Sequence, residues 1–590
     1  MSLEDQKKRW NKDSKQKTPR DNRVWILSIC LTLFAGAIAV KLFFLQVIDH
    51  TFYEALASGQ HDLFQELFPE RGDIFIHDEK DGTLVAAATN QELAFIYADP
   101  RQIEDLSQTV EKLAEVFSWD EETAAAFAIR FSDRSDPYEP IKRHVSDSDL
   151  AKVEALKLPG IEYLREASRL YPETGLGGHV FGFLGSDADG TLSGKYGIEG
   201  YFDDILTGTP GFLRSERDIA GRLIAVADRA FQPAVDGADI VLTLDRNIQY
   251  FACSKLKAAV LKHGADGGSI IIVDPKTGRV LAMCGDPDFD PNNYGAVNSI
   301  NDFNNPVTFE PYEPGSVFKP ITMAAALDAG AVEPTTTYED VGSILVDGWP
   351  KPLTNAEGKV YGLVNMTQVL EDSINTGTVF VMRQTGQEKF AEYVRKFGFG
   401  EKTSLKIDTE VSGDISSLKK SSEVYSATAA FGQGIMVTPL QLVMAYAALA
   451  NGGVLLEPRI VDEIIYADGA VEKFATAEVR RVISERSASL IGAMLVSVVE
   501  NGHGKQAGVP GYYIAGKTGT AQVSGPDGGY ALDNNIGTFA GFGPVSNPCF
   551  AMSVRVDHPR DVEWAESTAA PLFGEIADFL IKYYEVAPER

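Results

Sequence analysis

An α+β fold is expected, and three features of the sequence carry that expectation. Apolar runs at Gly268–Val273 and Arg279–Met283 flank a turn containing Pro275 and Gly278, which reads as a hairpin. From 316 to 500 the periodicity is mostly helical, as in Ile321–Ala329 and Leu440–Leu449. Strand-like runs return at Phe539–Phe542 and Phe550–Val556, and Pro571–Tyr584 closes the chain as a helix. Strand, helices, strands, helix is an α+β layout.

At 590 residues the chain exceeds one ordinary domain of about 100–200 residues, so three or four structural units are expected. Its composition, 44% hydrophobic and 23% charged, is that of a globular protein. A net charge of −29 excludes a nucleic-acid partner, because phosphate recognition needs clustered Lys and Arg to displace counterions. The charge is uneven. Residues 1–23 form a basic tail, with eight basic side chains against four acidic ones, and the body is acidic.

Val24–Val40 runs 17 residues without a charge, and after Lys41 the apolar pattern continues to Ile48. Residues 24–48 can therefore span a hydrocarbon layer of about 30 Å. Small residues at Ala35, Gly36 and Ala37 imitate a signal-peptide cleavage site, but they lie inside the apolar run instead of after it. The expected topology is an uncleaved single-pass anchor in the cytoplasmic membrane. The basic flank places the N-terminus in the cytoplasm and everything after residue 49 outside, in the periplasm or at the cell exterior. Cys30 falls in the span, while Cys253, Cys284 and Cys549 lie outside without CxxC spacing. An odd number outside leaves at least one free or paired between chains, so the three read as buried thiols and no disulfide framework is expected.

Residues 49–235 are mixed in pattern. Strand-like runs at Asp73–Ile76 and Leu93–Tyr97 alternate with acidic helical stretches around 102–130 and 146–157, and no catalytic cluster appears. The composition changes near Val241–Asp245, so the catalytic region is taken as 236–590.

The sharpest local feature runs from Glu313 to Pro320. Pro314 and Gly315 end one segment, and Ser316 opens an apolar helical pattern in which Pro320 still fits, because the first amides of a helix have no internal acceptor to lose. One turn of helix puts Lys319 on the face of Ser316. A serine hydroxyl needs a neighbour to take its proton, and a lysine can do so once burial or nearby positive charge lowers its pKa. Helix N-terminal amides add positive potential for an oxyanion.

By itself Ser-x-x-Lys arises often by chance. Here Ser373-Ile374-Asn375 begins 57 residues after Ser316, and Lys517-Thr518-Gly519-Thr520 begins 142 residues after Asn375. That order is the signature of serine acyl-transfer enzymes in which these elements form one site. Ser373 is suited to a proton relay, Asn375 to holding a peptide, and Lys517, Thr518 and Thr520 to a terminal carboxylate. Gly519 allows a ligand close to the backbone.

Other patterns are decoys. Gly511–Thr518 matches the phosphate-loop pattern letter for letter, but a phosphate loop needs a helix after Lys-Thr, and Gly519–Gly525 reads as strand. Asp286, Asp288 and Asp290 imitate a calcium loop, yet Pro291 stands where its glycine belongs and Val297 where its closing glutamate belongs. There is no HExxH and no Gly-x-Ser-x-Gly. No metal and no cofactor is expected. Arg71-Gly72-Asp73 reads as turn chemistry.

With these residues in hand, the chain resembles the class B penicillin-binding proteins, monofunctional D,D-transpeptidases, from the anchor to the end. Glu70–Ile74, Arg169–Pro172, His179–Gly182 and Gly197–Tyr201 look like motifs of their N-terminal module. Phe431–Gly434, Thr438–Gln441 and Gly541–Pro544 look like motifs of their transpeptidase domain. The resemblance implies an antiparallel sheet flanked by helices over 236–590, a dimerisation or pedestal module over 49–235, and an acyl-enzyme at Ser316 formed from a stem peptide ending in D-Ala-D-Ala.

It further implies Lys319 as base, Ser373 in the catalytic group, and Asn375, Lys517, Thr518, Gly519 and Thr520 on the substrate. β-Lactams are implied as covalent inhibitors, and a SEDS-type glycan polymerase and other divisome membrane proteins as partners. Ile374 departs from the small or polar residue usual at the centre of Ser-x-Asn. No glycosyltransferase motif precedes residue 240, and the Phe-Gly-Gln-Gly stretch resembles the division-specific, FtsI-type enzymes over the cell-elongation type. Rival readings with the same motifs are a carboxypeptidase or β-lactamase that passes the acyl group to water, and a membrane β-lactam sensor or inactive scaffold.

Overall fold

The computed structural model describes residues 22–43, 62–187, 190–216, 230–524, 530–562 and 564–590. These fall into two compact units, one from Met1–Phe68 with Thr209–Val235 and the other from Pro69–Gly208 with Asp236–Arg590. The first contains the helix Asn22–Phe43 and a three-stranded antiparallel sheet with Gly211–Glu216 between Asp62–Leu67 and Ala230–Gln232. Among the described residues no helix is long and apolar enough to cross a membrane. The side chains of 22–26 and 28 lie outside the described set, as do residues 1–21 and 44–48 of the expected tail and span. Described apolar side chains of this helix, including Leu27, Leu31, Leu33 and Phe34, are exposed.

The second unit begins with β1 (Ile74–Asp78), β2 (Thr83–Ala98), β3 (Glu139–Val145) and β4 (Ile161–Leu170), followed by β5 (Asp239–Asp245), α1 (Arg246–His263), β6 (Gly267–Val273) and β7 (Val280–Asp286). Helices α2 (Lys319–Asp328), α3 (Asn375–Thr385) and α4 (Pro439–Ala450) precede β8 (Val461–Ile465), β9 (Val471–Lys473) and α5 (Glu485–Asn501). The chain ends with β10 (Ala515–Ser524), β11 (Tyr530–Gly543), β12 (Phe550–Asp557) and α6 (Ala569–Tyr583). One sheet has the order β9-β8-β5-β1-β2-β3, with β4 also pairing β2, and only β5 and β1 run parallel. The expected hairpin is β6–β7, and it starts the second sheet, β7-β6-β12-β11-β10, antiparallel throughout.

Strand alternation splits the core around this second sheet. Ile271, Val273 and Met283 face the larger apolar cluster, which includes α2 and α4, while Ile270, Ile272 and Leu281 face the cluster containing α1 and α6. Helix α4 is buried along its length from Pro439 to Leu449, the condition under which a helix can be apolar all round. Its start is fixed by a capping box in which Thr438 Oγ1 accepts from Gln441 N and Gln441 Oε1 accepts from Thr438 N, each at 3.1 Å. On the other face the rings of Phe251 on α1 and Phe579 on α6 stack at 4.0 Å.

Three sequence motifs of the N-terminal region meet at one buried carboxylate. Glu199, fully buried, accepts from Arg71 Nε at 2.8 Å, Arg169 Nε at 2.8 Å and Tyr171 Oη at 3.2 Å. Arg71 also reaches Asp203 Oδ1 at 2.8 Å. Arg71 is therefore one end of an ion network across 128 residues of sequence and not a turn residue. The calcium-loop imitation has local work as well: Asp288 Oδ2 accepts from Gly177 N and Gly178 N, and Asp290 caps the turn at Pro291–Ala296.

The cysteine expectation is corrected. Cys253 on α1 and Cys284 on β7 form a disulfide across 31 residues, because α1 packs on β7 and brings together two positions with no sequence signature. Cys549 is free, and burial pushes its thiol up to about 11. Thiol alkylation of residues 49–590 without reductant should therefore modify Cys549 alone, and all three cysteines after reduction. Replacing both Cys253 and Cys284 by alanine should lower unfolding free energy by about 3–4 kcal/mol, read from the denaturant midpoint.

Candidate active site

Ser316 sits in a 3₁₀ turn, Gly315–Phe318, that runs directly into α2. It lies one turn ahead of the α-helix it was expected to open. The turn is held by neighbours that lack a Cβ. Gly315 has φ +57° and donates its N–H to Gly432 O at 2.9 Å. A Cβ on Gly432 would lie 2.1 Å from Gly315 O, and one on Gly519 would lie 2.9 Å from Val317 Cγ1 and 3.0 Å from Pro314 O. The space beside Gly519 is thus filled by the nucleophile turn itself. Tyr446, buried on α4, props the turn from beneath by donating to Val317 O at 2.8 Å.

Lys319 is fully buried at the start of α2. Its Nζ donates to Ser373 O at 2.5 Å, Ser373 Oγ at 3.0 Å and Asn375 Oδ1 at 2.7 Å. Ser316 is not among these partners, and its hydroxyl makes no hydrogen bond among the described residues. Burial, reinforced by the charge of Lys517, pushes the Lys319 amine well below its ordinary value. Ser373 has φ +55°, a left-handed backbone that aims its carbonyl and its hydroxyl at the same amine. Ile374, fully buried, directs its side chain into the core and thereby anchors the segment. Asn375 opens α3 and donates Nδ2 to Thr354 O at 3.1 Å.

Strand β10 carries the third element, so the residues after Lys517 are strand and not the helix a phosphate loop requires; Gly525 lies outside the described residues. Lys517 is fully buried and donates to Thr518 O at 3.0 Å and Thr518 Oγ1 at 3.3 Å. Burial pushes it down to about 7, against the opposing attraction of Glu566. Thr520 Oγ1 accepts from Ala565 N at 3.1 Å and pins the segment beside Glu566 to the strand. Ser316, Ser373, Asn375, Thr518 and Thr520 line one cleft of about 720 Å³, with the two lysines behind its wall.

Several groups that shape this cleft carry no motif or spacing in the sequence. Gln433, His503, Trp564 and Glu566 line it. More telling is Asp340, a buried carboxylate that accepts from Thr376 Oγ1 at 2.6 Å, Tyr361 N at 2.8 Å, Asn355 Nδ2 at 2.9 Å and Gly342 N at 3.1 Å. Burial raises its pKa, yet these bonds together hold it below the ordinary value. Asn355 Oδ1 in turn accepts from Thr376 N at 3.1 Å. Asp340 therefore ties the 352–361 wall to the first turn of α3, beside Asn375.

A serine hydroxyl in a cleft, backed by a buried amine of lowered proton affinity and flanked by a sheet edge, defines an acyl-transferring serine enzyme. Comparison with known proteins supplies the family. Residues 268–578 match the penicillin-binding protein transpeptidase domain and residues 66–242 the penicillin-binding protein dimerisation domain. The chain belongs to the penicillin-binding proteins and is a class B serine transpeptidase of that family.

Stage V sporulation protein D of Bacillus subtilis (strain 168) is 35% identical, over 88% of this chain and 79% of the relative. The probable peptidoglycan D,D-transpeptidase PenA of Neisseria meningitidis (strain MC58) is 29% identical over 96% and 93%. The crystal structure of penicillin-binding protein 3 from Mycobacterium tuberculosis complexed with aztreonam superposes with a TM-score of 0.68 at 28% identity, covering 89% of this chain and 98% of that one.

Removing the Asp340 carboxylate leaves several buried donors without an acceptor. Asp340→Ala should cost about 3 kcal/mol of stability, measured by thermal denaturation, and should slow acylation by penicillin about tenfold or more even at temperatures where the variant remains folded.

Proposed function

We propose that the chain cross-links peptidoglycan stem peptides outside the cytoplasmic membrane, in septal wall synthesis, through an acyl-enzyme on Ser316. The observation that carries this reading is the buried Lys319 amine, held one turn from Ser316 by Ser373 and Asn375 and stripped of much of its affinity for a proton. In the neutral form Lys319 takes the Ser316 proton, directly or by way of Ser373 Oγ. Ser316 Oγ then adds to the carbonyl of the penultimate D-Ala, while amides of the nucleophile turn receive the oxyanion. The leaving D-Ala amine takes a proton through Ser373. Lys517, Thr518 and Thr520 bind the terminal carboxylate, and Asn375 orients the peptide.

Relatives named Stage V sporulation protein D and FtsI homolog support the septal role. The neighbouring structures of the Mycobacterium tuberculosis protein with aztreonam and ampicillin support β-lactams as covalent ligands. The uncharged run Val24–Val40 behind a basic tail supports a single-pass anchor with the catalytic region outside. That anchor and the N-terminal module, 49–235, are our candidate contacts for a SEDS-type glycan polymerase and other divisome membrane proteins.

Fluorescent penicillin with residues 49–590, followed by intact mass, tests the nucleophile: a stable adduct is expected on the native chain and none on Ser316→Ala. Equal labelling of both chains sinks the assignment, and rapid turnover makes the protein a β-lactamase.

The two lysines also fix the pH dependence of acylation. Lys319 must be neutral, so the rate falls as pH drops through its lowered pKa. Lys517 must be charged, so the second-order rate falls again as pH rises through about 7. A rate constant flat from pH 6 to 9 contradicts these roles.

A further inference from the structure

A second cavity, of about 180 Å³, shares no residue with the catalytic cleft. Three stretches of chain line it: the loop holding Lys406, the approach to β8 with Glu457 and Arg459, and the chain just after β9 with Phe474. Val461 and Ala475 add apolar lining. At roughly 30 Å³ per water in the liquid, the space holds about six water-sized groups, the bulk of a small amino acid and far less than a stem peptide.

The charged groups of this cavity lack full partners. Lys406 is half-buried with its Nζ 3.9 Å from the centroid of the Phe474 ring, and no carboxylate pairs with it among the described residues. The carboxylate of Glu457 likewise meets no cation and no donor among the described residues. Arg459 Nη1 donates to Asp462 Oδ1 at 2.7 Å and to Phe474 O. Asp462, however, also accepts from Arg279 Nη2 at 3.0 Å and lies 2.9 Å from His77 Nε2, so one carboxylate is divided among three groups. Arg459 Nε is buried with no acceptor among the described residues. Burial pushes this guanidinium below its ordinary value, and the attraction of Asp462 does not make up for it.

The walls are fixed. Leu405 and Ile407, on either side of Lys406, are buried in the core. Gln441 Nε2, at the start of α4, donates to Glu401 O at 2.8 Å and to Ser412 O at 2.7 Å, which pins both ends of that loop. Opposite, Glu457 N donates to Ala477 O at 2.9 Å, and Arg459 N to Gly278 O at 2.8 Å.

An ammonium and a carboxylate in one small cavity would ordinarily close on each other. Lys406 and Glu457 form no such pair, because each belongs to a separate, anchored stretch of chain. A ligand that completes the cavity brings an anion to Lys406 and Arg459, a cation to Glu457, and a small apolar body. We propose that this cavity binds a free small α-amino acid as its zwitterion, with the carboxylate on Lys406 and Arg459 and the ammonium on Glu457. D-Alanine, which the proposed cross-linking releases, belongs to this class, but the cavity itself does not depend on an acyl-enzyme at Ser316.

The test titrates ¹³C-methyl D-alanine into the full chain in detergent, after penicillin has filled the catalytic cleft, and follows the ligand signal by NMR. The native chain should bind with a dissociation constant of about 1 mM, the scale for so small a ligand. Propionate, which lacks the ammonium, and ethylamine, which lacks the carboxylate, should each bind about tenfold more weakly, the worth of one charge-assisted hydrogen bond. Lys406→Met and Glu457→Gln should each weaken D-alanine by about tenfold. Lys406→Met should also level D-alanine with ethylamine, and Glu457→Gln should level it with propionate; the thermal midpoint of each variant shows that it is folded. No saturable binding to the native chain overturns the proposal, as does binding that neither substitution weakens, or propionate bound as tightly as D-alanine. Absence of a penicillin adduct on the native chain overturns the acyl-enzyme reading alone, since the two substitutions still report on this cavity.

Discussion

The site depends on holding a lysine amine inside the protein without giving it a counter-ion. A buried ammonium costs several kcal/mol unless it is compensated, and a carboxylate would be the simplest compensation. Lys319 has a carbonyl, a hydroxyl and an amide oxygen instead. Dipoles satisfy the hydrogens without stabilising the charge as a full anion would, so the amine keeps a low affinity for its proton. The geometry of Ser373 follows from this constraint. One residue can present both its carbonyl and its hydroxyl to a single amine only in an unusual backbone conformation. The φ of +55° at Ser373 carries a cost of order 1 kcal/mol. It is held by the bonds Ser373 N to Leu370 O and Ile374 N to Val369 O, and by the burial of Ile374.

The N-terminal region solves the reverse problem. Glu199 is an anion buried completely, and two guanidiniums and a phenol converge on it. Here the charge is to be kept, and the full set of donors suits that end. Removing either arginine would strand the carboxylate, and a buried ion deprived of its partner is costlier than a solvated one. The network therefore specifies how three stretches of chain, near 71, 169 and 199, come together.

Much of this was legible in the sequence because it is written in local spacing. The strand–helix–strand order and the hairpin at 268–283 show up as periodicity and turn residues. The three catalytic elements show up as short words in a fixed order, and the cleft brings Ser316, Ser373, Asn375, Thr518 and Thr520 together. What escaped are relations that exist only after folding. The pairing of Cys253 with Cys284 requires α1 to pack on β7, which no spacing announces. Asp340 is one acidic residue among 83 acidic side chains, and only its four donors distinguish it. A 3₁₀ turn and the first turn of an α-helix share the i, i+3 pattern, so sequence alone reads Ser316 as helical. Ile374 looked like a departure, yet the structure uses its apolar side chain as the anchor of Ser373.

The nucleophile turn is enclosed largely by main chain. Main chain from two other segments closes on it, at Gly432 and Gly519, at distances where even a methyl group has no room, and Tyr446 closes it from below. A wall made of backbone cannot be altered by changing one side chain for another. Substitution at Gly432 or Gly519 therefore collides with the turn itself, whereas the open rim, where Gln433, His503 and Trp564 stand, accepts a change of side chain without touching that packing. The packing that protects the chemistry also channels the routes by which it can evolve.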